Sequence, residues 1–337
     1  MLQLKNATPF AATLFSAPDP DGVDTLFAVV KGTFRLEPSV RPDDEQEPLV
    51  ISDRYAGDPA VTGIVEPSDV SLAKGATDVL CLGSACAPLG RTSTEVQVSF
   101  RVGPVAREAV VSGDRRWENG PLGLKSTPPE PFEKTPVVWE RAFGGIDRAS
   151  GDSTRLDAEA RNPAGTGFRL RVGGSPIAGT LLPNVEHPAD RVRSPGDRPA
   201  PCGFGPIAPH WLPRRSWAGT YDGAWARTRA PYLPADFDAR FLQCAPEGQV
   251  VPGYLKGGEP CRLEGLSPAG PVSFSLPSFR ISATFRLDPE KETRPAVLDT
   301  VILKPDAGRL LLVWRAAFLC DKKLLKVREV EITSRAA

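Results

Sequence analysis

The sequence predicts a mainly β protein in which antiparallel sheets pack as a sandwich or a distorted barrel. A long irregular layer rich in glycine, proline and aromatic residues covers the sheets, and very little helix is expected. Two observations lead to this prediction: apolar and polar residues alternate regularly in several segments, and the composition suits turns. The 36 prolines among 337 residues are about twice the usual proline share of ~5%. A hydrophobic content of 41% is too high for a disordered chain, so short strands joined by many turns are expected.

The first alternating segment is residues 94–102, TEVQVSFRV, in which Val96, Val98, Phe100 and Val102 alternate with polar residues. A period of two is typical of a strand that buries one face. Residues 77–82, TDVLCL, are a shorter apolar run that predicts a more deeply buried strand.

Near the other end of the chain, Val272, Phe274 and Leu276 alternate with serines, and the alternation resumes over 279–287. Such runs favour antiparallel sheets with one solvated face. Residues 300–304 and 309–314 flank Pro-Asp-Ala-Gly, a turn sequence that predicts a hairpin.

One helix is predicted over residues 235–242. Phe237 and Phe241 are four residues apart there, and Pro234 suits the first turn.

The chain divides into an N-terminal β part (1–117), an irregular layer (118–270) and a C-terminal β part (271–337). Periodicity almost disappears in the middle part, whose many aromatic residues nevertheless predict an ordered structure. The heptapeptide GTFRLEP at 32–38 returns as ATFRLDP at 283–289. Either the two β parts arose by duplication, or two strand ends are alike by coincidence.

The charge balance argues against nucleic acid as a partner, because Lys+Arg and Asp+Glu are equal at 41 each. No apolar run approaches the roughly 18 to 20 residues of a membrane span, so no membrane partner and a cytoplasmic location are expected. The six cysteines are spaced unlike a disulfide framework, so reduced thiols are expected.

No motif identifies a catalytic, metal or cofactor site, and none of the three is predicted. A metal site at Cys202 and His210 would need ligands from distant loops, and the only other histidine is His187. Residues 203–208 resemble a dinucleotide-binding loop, but no strand precedes them, and prolines break the helix that should follow.

Two alternatives stay open. A hydrolase acting on sugar polymers needs only two carboxyls at a suitable separation, and Glu140 and Asp222 are the first candidates. A carbohydrate-binding module would use Trp211, Trp217 and Trp225 as exposed, coplanar platforms.

A third hypothesis is a protein-binding surface, because Trp, Tyr and Arg dominate binding hot spots. The segments 139–145 (WERAFGG) and 210–234 are rich in all three types. Each residue could instead be an internal anchor of the irregular layer. The candidate partner-binding residues are Trp139, Arg141, Phe143, Trp211, Arg214, Arg215, Trp217, Tyr221 and Trp225.

A series of motifs, in order along nearly the whole chain, resembles the domain-of-unknown-function family 2169. The motifs are NATPFAA (6–12), VVKGTFRL (29–36), TDVLCLGSACAPLG (77–90), VSGDRRW (111–117), WERAFGG (139–145), NPAGTGF (162–168), LLPNVEHP (181–188), GFGPIAPHW (203–211), WAGTYDGAW (217–225), RAPYLPADFDARFLQCAPEGQ (229–249) and DAGRLLLVWRA (306–316).

The resemblance implies one family-wide domain over 1–337 and a role in bacterial type VI secretion. Members of the family are viewed as adaptors or chaperones that help load a toxic effector, often of PAAR type, onto the VgrG spike. The resemblance brings no catalytic residue and leaves the oligomeric state open. Some relatives carry pentapeptide repeats, which this chain lacks, so functions tied to those repeats are not implied.

Overall fold

Three large sheets dominate the computed structural model, which describes residues 2–121, 123–147, 157–170 and 177–336. The first thirteen strands are β1 Gln3–Asn6, β2 Ala11–Pro18, β3 Asp24–Arg35, β4 Arg41–Pro42, β5 Arg54–Tyr55, β6 Ile64–Glu66, β7 Ala76–Cys81, β8 Ser84–Cys86, β9 Glu95–Val102, β10 Val105–Ser112, β11 Trp117–Gly120, β12 Gly123–Ser126 and β13 Lys134–Pro136. The others are β14 Phe143–Gly144, β15 Ile146–Asp147, β16 Asp157–Ala158, β17 Thr166–Gly167, β18 Val185–Glu186, β19 Val250–Pro252, β20 Pro260–Glu264, β21 Val272–Ser275, β22 Phe279–Arg286, β23 Lys291–Pro295, β24 Val297–Lys304, β25 Arg309–Leu319 and β26 Glu329–Ala336.

The central sheet has seven strands in the order β19-β7-β24-β25-β3-β2, with β4 added beside β3. Its longest pairing is between β3 and β25, and the parallel pairing of β7 with β24 makes the sheet mixed. Ten of the twelve residues of β3 are buried, so both faces of the sheet are covered. The predicted hairpin is confirmed as β24 and β25, and Gly308 takes the left-handed backbone conformation (φ 61°) that ends its turn.

The four-stranded sheet, in the order β1-β26-β22-β23, packs on one face of the central sheet. An aromatic cluster joins the two sheets: the Phe279 ring lies 5.1 Å from that of Phe10 and 5.7 Å from that of Phe34, between ring centroids. Farther along, Phe285 stacks on Phe318 at 4.9 Å. The predicted packing of antiparallel sheets is confirmed, and no sheet of the described strands closes into a barrel.

The opposite face of the central sheet is held to a strap, residues 43–71, by ion pairs. Alternation along β3 and β25 turns Val30 and Trp314 toward the aromatic core and Lys31 and Arg315 toward the strap. The main contacts between basic groups of the sheet and the strap are Lys31–Asp69 (2.9 Å), Arg35–Asp43 (2.9 Å), Lys304–Glu47 (2.8 Å), Lys304–Glu66 (3.0 Å), Arg309–Asp43 (3.1 Å) and Arg309–Glu45 (2.8 Å).

These ion pairs predict a loss of stability in acid. Burial alone would raise the pKa of Glu66, but the hydrogen bond and charge of Lys304 outweigh it and lower that pKa below its ordinary 4.5. A carboxylate with a lowered pKa stabilises the folded state above its unfolded pKa, and that contribution disappears as the pH falls through the folded value. We therefore expect stability to decline below pH 4.5, and to decline less steeply in the Lys304→Met variant.

Urea unfolding at pH values between about 3 and 6 would measure this slope. Lys322→Met is the matched control, because Lys322 is exposed and makes no ion pair with the described residues. Equal slopes for the wild type and Lys304→Met would show that the strap is held by other contacts.

The five-stranded sheet, in the order β18-β10-β9-β20-β21, contains the most regular predicted strand. The structure confirms β9: Val98, Phe100 and Val102 face the core, and the residues between them face outward. Phe100 lies opposite Leu263 of β20, which extends the same apolar face. The segments predicted over 77–82 and 272–287 are likewise strands β7, β21 and β22.

The repeated Thr-Phe-Arg-Leu motif ends strands in both copies. It closes β3 at Arg35 and β22 at Arg286, in two sheets that face each other. Phe34 and Phe285, the equivalent rings, are both fully buried. A common origin for the two copies stays a hypothesis.

The predicted helix over 235–242 is wrong in its extent. Asp238 has an extended backbone (φ −104°, ψ 124°), so only a 3-10 helix, Ala239–Leu242, forms after it. Phe237 and Phe241 still pack together at 5.8 Å. The sequence analysis missed the α-helix α1, Gly223–Thr228, which Asp222 caps. The other 3-10 helices are Trp139–Arg141, Arg214–Trp217, Pro305–Ala307 and Asp321–Lys326. Within the described ranges, no helix has the length and apolarity of a membrane span.

Candidate partner-binding surface

Residues 202–211, which are buried except for Pro209 and His210, contact both the central and the five-stranded sheet. The Phe204 carbonyl oxygen accepts hydrogen bonds from the Cys81 backbone N–H of β7 (3.1 Å) and from Gln249 Nε2 (3.0 Å). The Phe204 ring packs edge-on against Phe100 of β9 at 5.1 Å. Residues 202–208 and Trp211 therefore belong to the core, not to the surface.

Trp139 fixes the same segment from the other side. Its indole Nε1 donates to the carbonyl oxygens of Gly205 (3.2 Å) and Pro206 (3.0 Å). A side chain at position 203 could not fit, because a Cβ on Gly203 would lie 2.7 Å from the Trp139 ring. Trp211 packs at right angles to Trp139 and is fully buried.

Three of the candidate partner-binding residues are thus placed in the core. Trp139, Phe143 and Trp211 have exposures of 5% or less, so a partner does not reach their rings in this conformation. They act as internal anchors, which is the alternative that the sequence left open for each of them. Arg141 is half-exposed, and its guanidinium contacts Asp114 (3.3 Å) and Asn184 (3.1 Å).

The remaining candidates, Arg214, Arg215, Trp217, Tyr221 and Trp225, all lie in one surface region, the aromatic lobe (residues 212–242). Internal hydrogen bonds hold the lobe in shape. Asp222 caps α1 by accepting from Ala224 N (2.9 Å) and Trp225 N (2.8 Å). Asp236 accepts from the backbone (2.9 Å) and hydroxyl (2.7 Å) of Thr220.

The aromatic rings of the lobe are half-buried or exposed and are fixed by neighbours. Arg240 stacks over the Trp217 ring at 4.9 Å. Tyr221 packs edge-on against Trp225 at 4.8 Å, and the Trp225 indole donates to the Tyr232 carbonyl oxygen (2.9 Å). Tyr221 is 55% exposed, and Tyr232 is 42% exposed. The lobe therefore presents large rings in preset orientations.

The carboxylates and the arginines of the lobe differ in the neighbouring groups that bind them. The three aspartates of the lobe all accept internal hydrogen bonds, and the bond from Arg240 holds the pKa of Asp238 below its ordinary value. Among the arginines, only Arg240 has a carboxylate partner in the described part of the chain. The arginines without one are Arg214, Arg215, Arg227 and Arg229. The five arginines and three aspartates of the lobe leave it with two more positive than negative charges.

A cavity of about 400 Å³, the lobe cavity, lies between the lobe and the edge of the central sheet. Ile207, Ala245, Val250 and the Trp217 ring give it an apolar lining, and Arg214 forms part of its wall. Arg214 is oriented by donating to the carbonyl oxygens of Phe241 (2.8 Å) and Ile207 (2.8 Å). Sequence reasoning named Arg214 and Trp217 but missed Ala245 and Val250, which carry no recognisable binding signal.

The residues suspected of hydrolysis have structural roles. Glu140 accepts a hydrogen bond from the Gly63 backbone (2.7 Å), and Asp222 is the helix cap described above. The carbohydrate-platform hypothesis required three exposed rings, and the burial of Trp211 removes one of them.

The metal and nucleophile candidates also lie in ordinary environments. Burial raises the pKa of Cys202 to about 11, so its thiol is neutral and unreactive near pH 7. The His210 ring packs against Trp211 and Tyr55, and His187 accepts from the Ala189 backbone. All six cysteines are buried free thiols. No group of three metal-ligating side chains is found within the described ranges.

Comparison with known proteins identifies a family but no characterised relative. A family model described as "Uncharacterized protein conserved in bacteria (DUF2169)" matches residues 21–315. No curated protein and no solved structure matches the chain.

Proposed function

The chain belongs to the DUF2169 family of uncharacterized bacterial proteins, and from that premise we propose that it is a non-enzymatic adaptor or chaperone of type VI secretion. In this role it binds an effector, often of PAAR type, in the cytoplasm and helps load the effector onto the VgrG spike. The proposal builds on the motif resemblance described above and on the geometry of the aromatic lobe.

The observation that carries the proposal is that one lobe combines aromatic rings held in place by their neighbours with arginines that have no carboxylate partner among the described residues. Trp, Tyr and Arg contribute most of the binding energy at protein interfaces, and a surface that is already ordered loses less entropy on binding. Tyr221 and Tyr232 are exposed although their neighbours hold them in place, which suits contact with a second protein.

Affinity recovery of the tagged protein from its native host, followed by mass spectrometry, tests this proposal. We expect the wild type to recover an effector or a spike protein of type VI secretion. The Trp217→Ala/Trp225→Ala variant should bind at least about 30-fold more weakly, because truncation of a single hot-spot ring costs about 2 kcal/mol of binding energy.

The control variant is Leu89→Ala/Leu325→Ala, which removes two apolar side chains that are 79% and 90% exposed outside the lobe. It should recover the partner like the wild type. Thermal unfolding of all three proteins would show that the lobe variant is folded. If the wild type recovered no secretion protein, or if both variants bound equally, the proposal would be wrong.

A further inference from the structure

The lobe cavity indicates which side chains the bound segment of the partner carries. We infer that it binds an extended polypeptide segment of the partner in which an apolar side chain is flanked by carboxylates. This inference rests on the proposed function, because it specifies which segment the adaptor recognises.

The apolar part of the site is a preformed cavity with a rigid base. Its volume of about 400 Å³ lies within the range of roughly 300–1,000 Å³ typical of ligand pockets. Ala245 and Val250 at its base pack against Leu80, Ile302 and Leu311 of the central sheet. Three strands therefore support the base of the cavity, and a leucine or phenylalanine side chain could enter the space above it.

The charged part of the site is the Arg214 guanidinium. Its Nε and Nη1 donate to backbone carbonyl oxygens, whereas Nη2 has no hydrogen-bond partner among the described residues. Phe241 lies beneath the guanidinium at 5.3 Å and fixes its plane. A carboxylate near the mouth of the cavity would therefore meet oriented positive charge.

The other charged groups at the cavity do not cancel its preference for a carboxylate. Arg240 also lines the cavity, and its charge is balanced by Asp238 at 2.6 Å. Glu247 is the single carboxylate in the lining, and its side chain is exposed to solvent. Arg214 is held in the wall by two hydrogen bonds, whereas Glu247 makes none with the described residues, so the fixed charge at the cavity is positive and favours an acidic segment over a basic one.

A polypeptide fits this site better than a nucleic acid does. Binding to a phosphate backbone needs a basic stripe, and the chain as a whole has equal numbers of basic and acidic residues. An apolar cavity beside the Arg214 guanidinium instead matches a short segment in which apolar side chains are flanked by acidic ones.

The probe is the peptide acetyl-Glu-Asp-Leu-Phe-Asp-Glu-amide, titrated into the full-length protein. The readout is the indole N–H resonance of Trp217 in ¹H–¹⁵N spectra, assigned from the Trp217→Phe variant. We expect a saturable shift that weakens as salt is added. Two comparison peptides carry lysine in place of every acidic residue, or serine in place of Leu-Phe, and each should bind at least about 10-fold more weakly.

Three variants separate the contributions. Arg214→Gln should weaken binding of the acidic peptide about 10-fold, and Val250→Phe should do the same by filling the cavity while leaving Arg214 intact. Arg280→Gln is the matched control, because Arg280 is exposed on β22 and makes no ion pair with the described residues. Unchanged chemical shifts elsewhere in the spectrum verify that each variant is folded.

Several results would overturn the inference. The inference would be wrong if the lysine peptide bound as tightly as the acidic one, or if Arg214→Gln and the wild type had equal affinity for the acidic peptide. Absence of any shift of the Trp217 resonance, or displacement of the peptide by an oligothymidine, would also contradict it. The proposed function fails separately: an empty affinity recovery together with a bound acidic peptide would refute the adaptor role but not the site. Recovery of a secretion protein together with no peptide binding would refute the site but not the adaptor role.

Discussion

Replacing Asp299 by alanine is expected to destabilise the protein by about 3–5 kcal/mol. Asp299 and Arg315 form a pair inside the central sheet, with Nε and Oδ2 2.6 Å apart and side-chain exposures of 2% for Arg315 and 0% for Asp299. Arg315 also donates to the carbonyl oxygens of Ser71 and Asp69, both at 2.9 Å. Without Asp299 the guanidinium keeps its charge in a site that solvent does not reach, and that charge has no counterion.

Urea unfolding monitored by circular dichroism would measure this loss. The double variant Asp299→Leu/Arg315→Met should recover much of the stability, because removing both charges avoids the uncompensated one. Glu264→Ala is the surface control: its partner Arg262 is well exposed, so the stability should stay close to that of the wild type. A loss below about 1 kcal/mol for Asp299→Ala would mean that water or another group replaces the counterion.

The second large effect is expected at Trp139. Trp139→Ala should destabilise the protein by about 3–5 kcal/mol, because it removes a buried indole and leaves a cavity beside Gly203 and Trp211. It should also loosen the segment 202–211, whose carbonyl oxygens lose their donor. Relative to the wild type, hydrogen exchange should therefore increase more at the backbone amides of 202–211 than at those of β3 and β25.

Hydrogen exchange measured by mass spectrometry would locate this effect. Trp139→Phe provides the graded control, since it keeps most of the ring but cannot donate to Gly205 and Pro206; its loss should be about 1–3 kcal/mol. If exchange in Trp139→Ala rose equally in every strand, Trp139 would contribute to global stability without a specific link to the segment that leads into the aromatic lobe.

Local patterns predicted the regular sheets well. The alternation in β9 and the Pro-Asp-Ala-Gly turn between β24 and β25 depend on neighbours in the sequence, and the structure confirms both. The helix α1 was also within reach, because Asp222 before a short run of helix-compatible residues is an N-cap signal.

Contacts between distant residues account for what the sequence did not predict. Lys304 binds Glu47 across 257 positions, and nothing near either residue indicates the other. The same reason separates the candidate residues: Trp211 and Trp217 occupy similar Gly/Pro/aromatic surroundings, yet only Trp211 is buried in the core. Composition indicates which residues suit a binding surface, but only the tertiary structure separates buried anchors from exposed rings.

The pairing of β3 with β25 has a consequence for how the protein is made. Strand β3 ends at Arg35, and its partner begins at Arg309, so the longest ladder of the central sheet forms only after most of the chain has left the ribosome. Until then, the hairpin of β2 and β3 exposes Leu26, Phe27 and Phe34, all of which are buried in the finished sheet. Sheets that depend on such distant pairings fold slowly, and their folding intermediates expose apolar surface and are prone to aggregate. The nascent chain should therefore require a general chaperone.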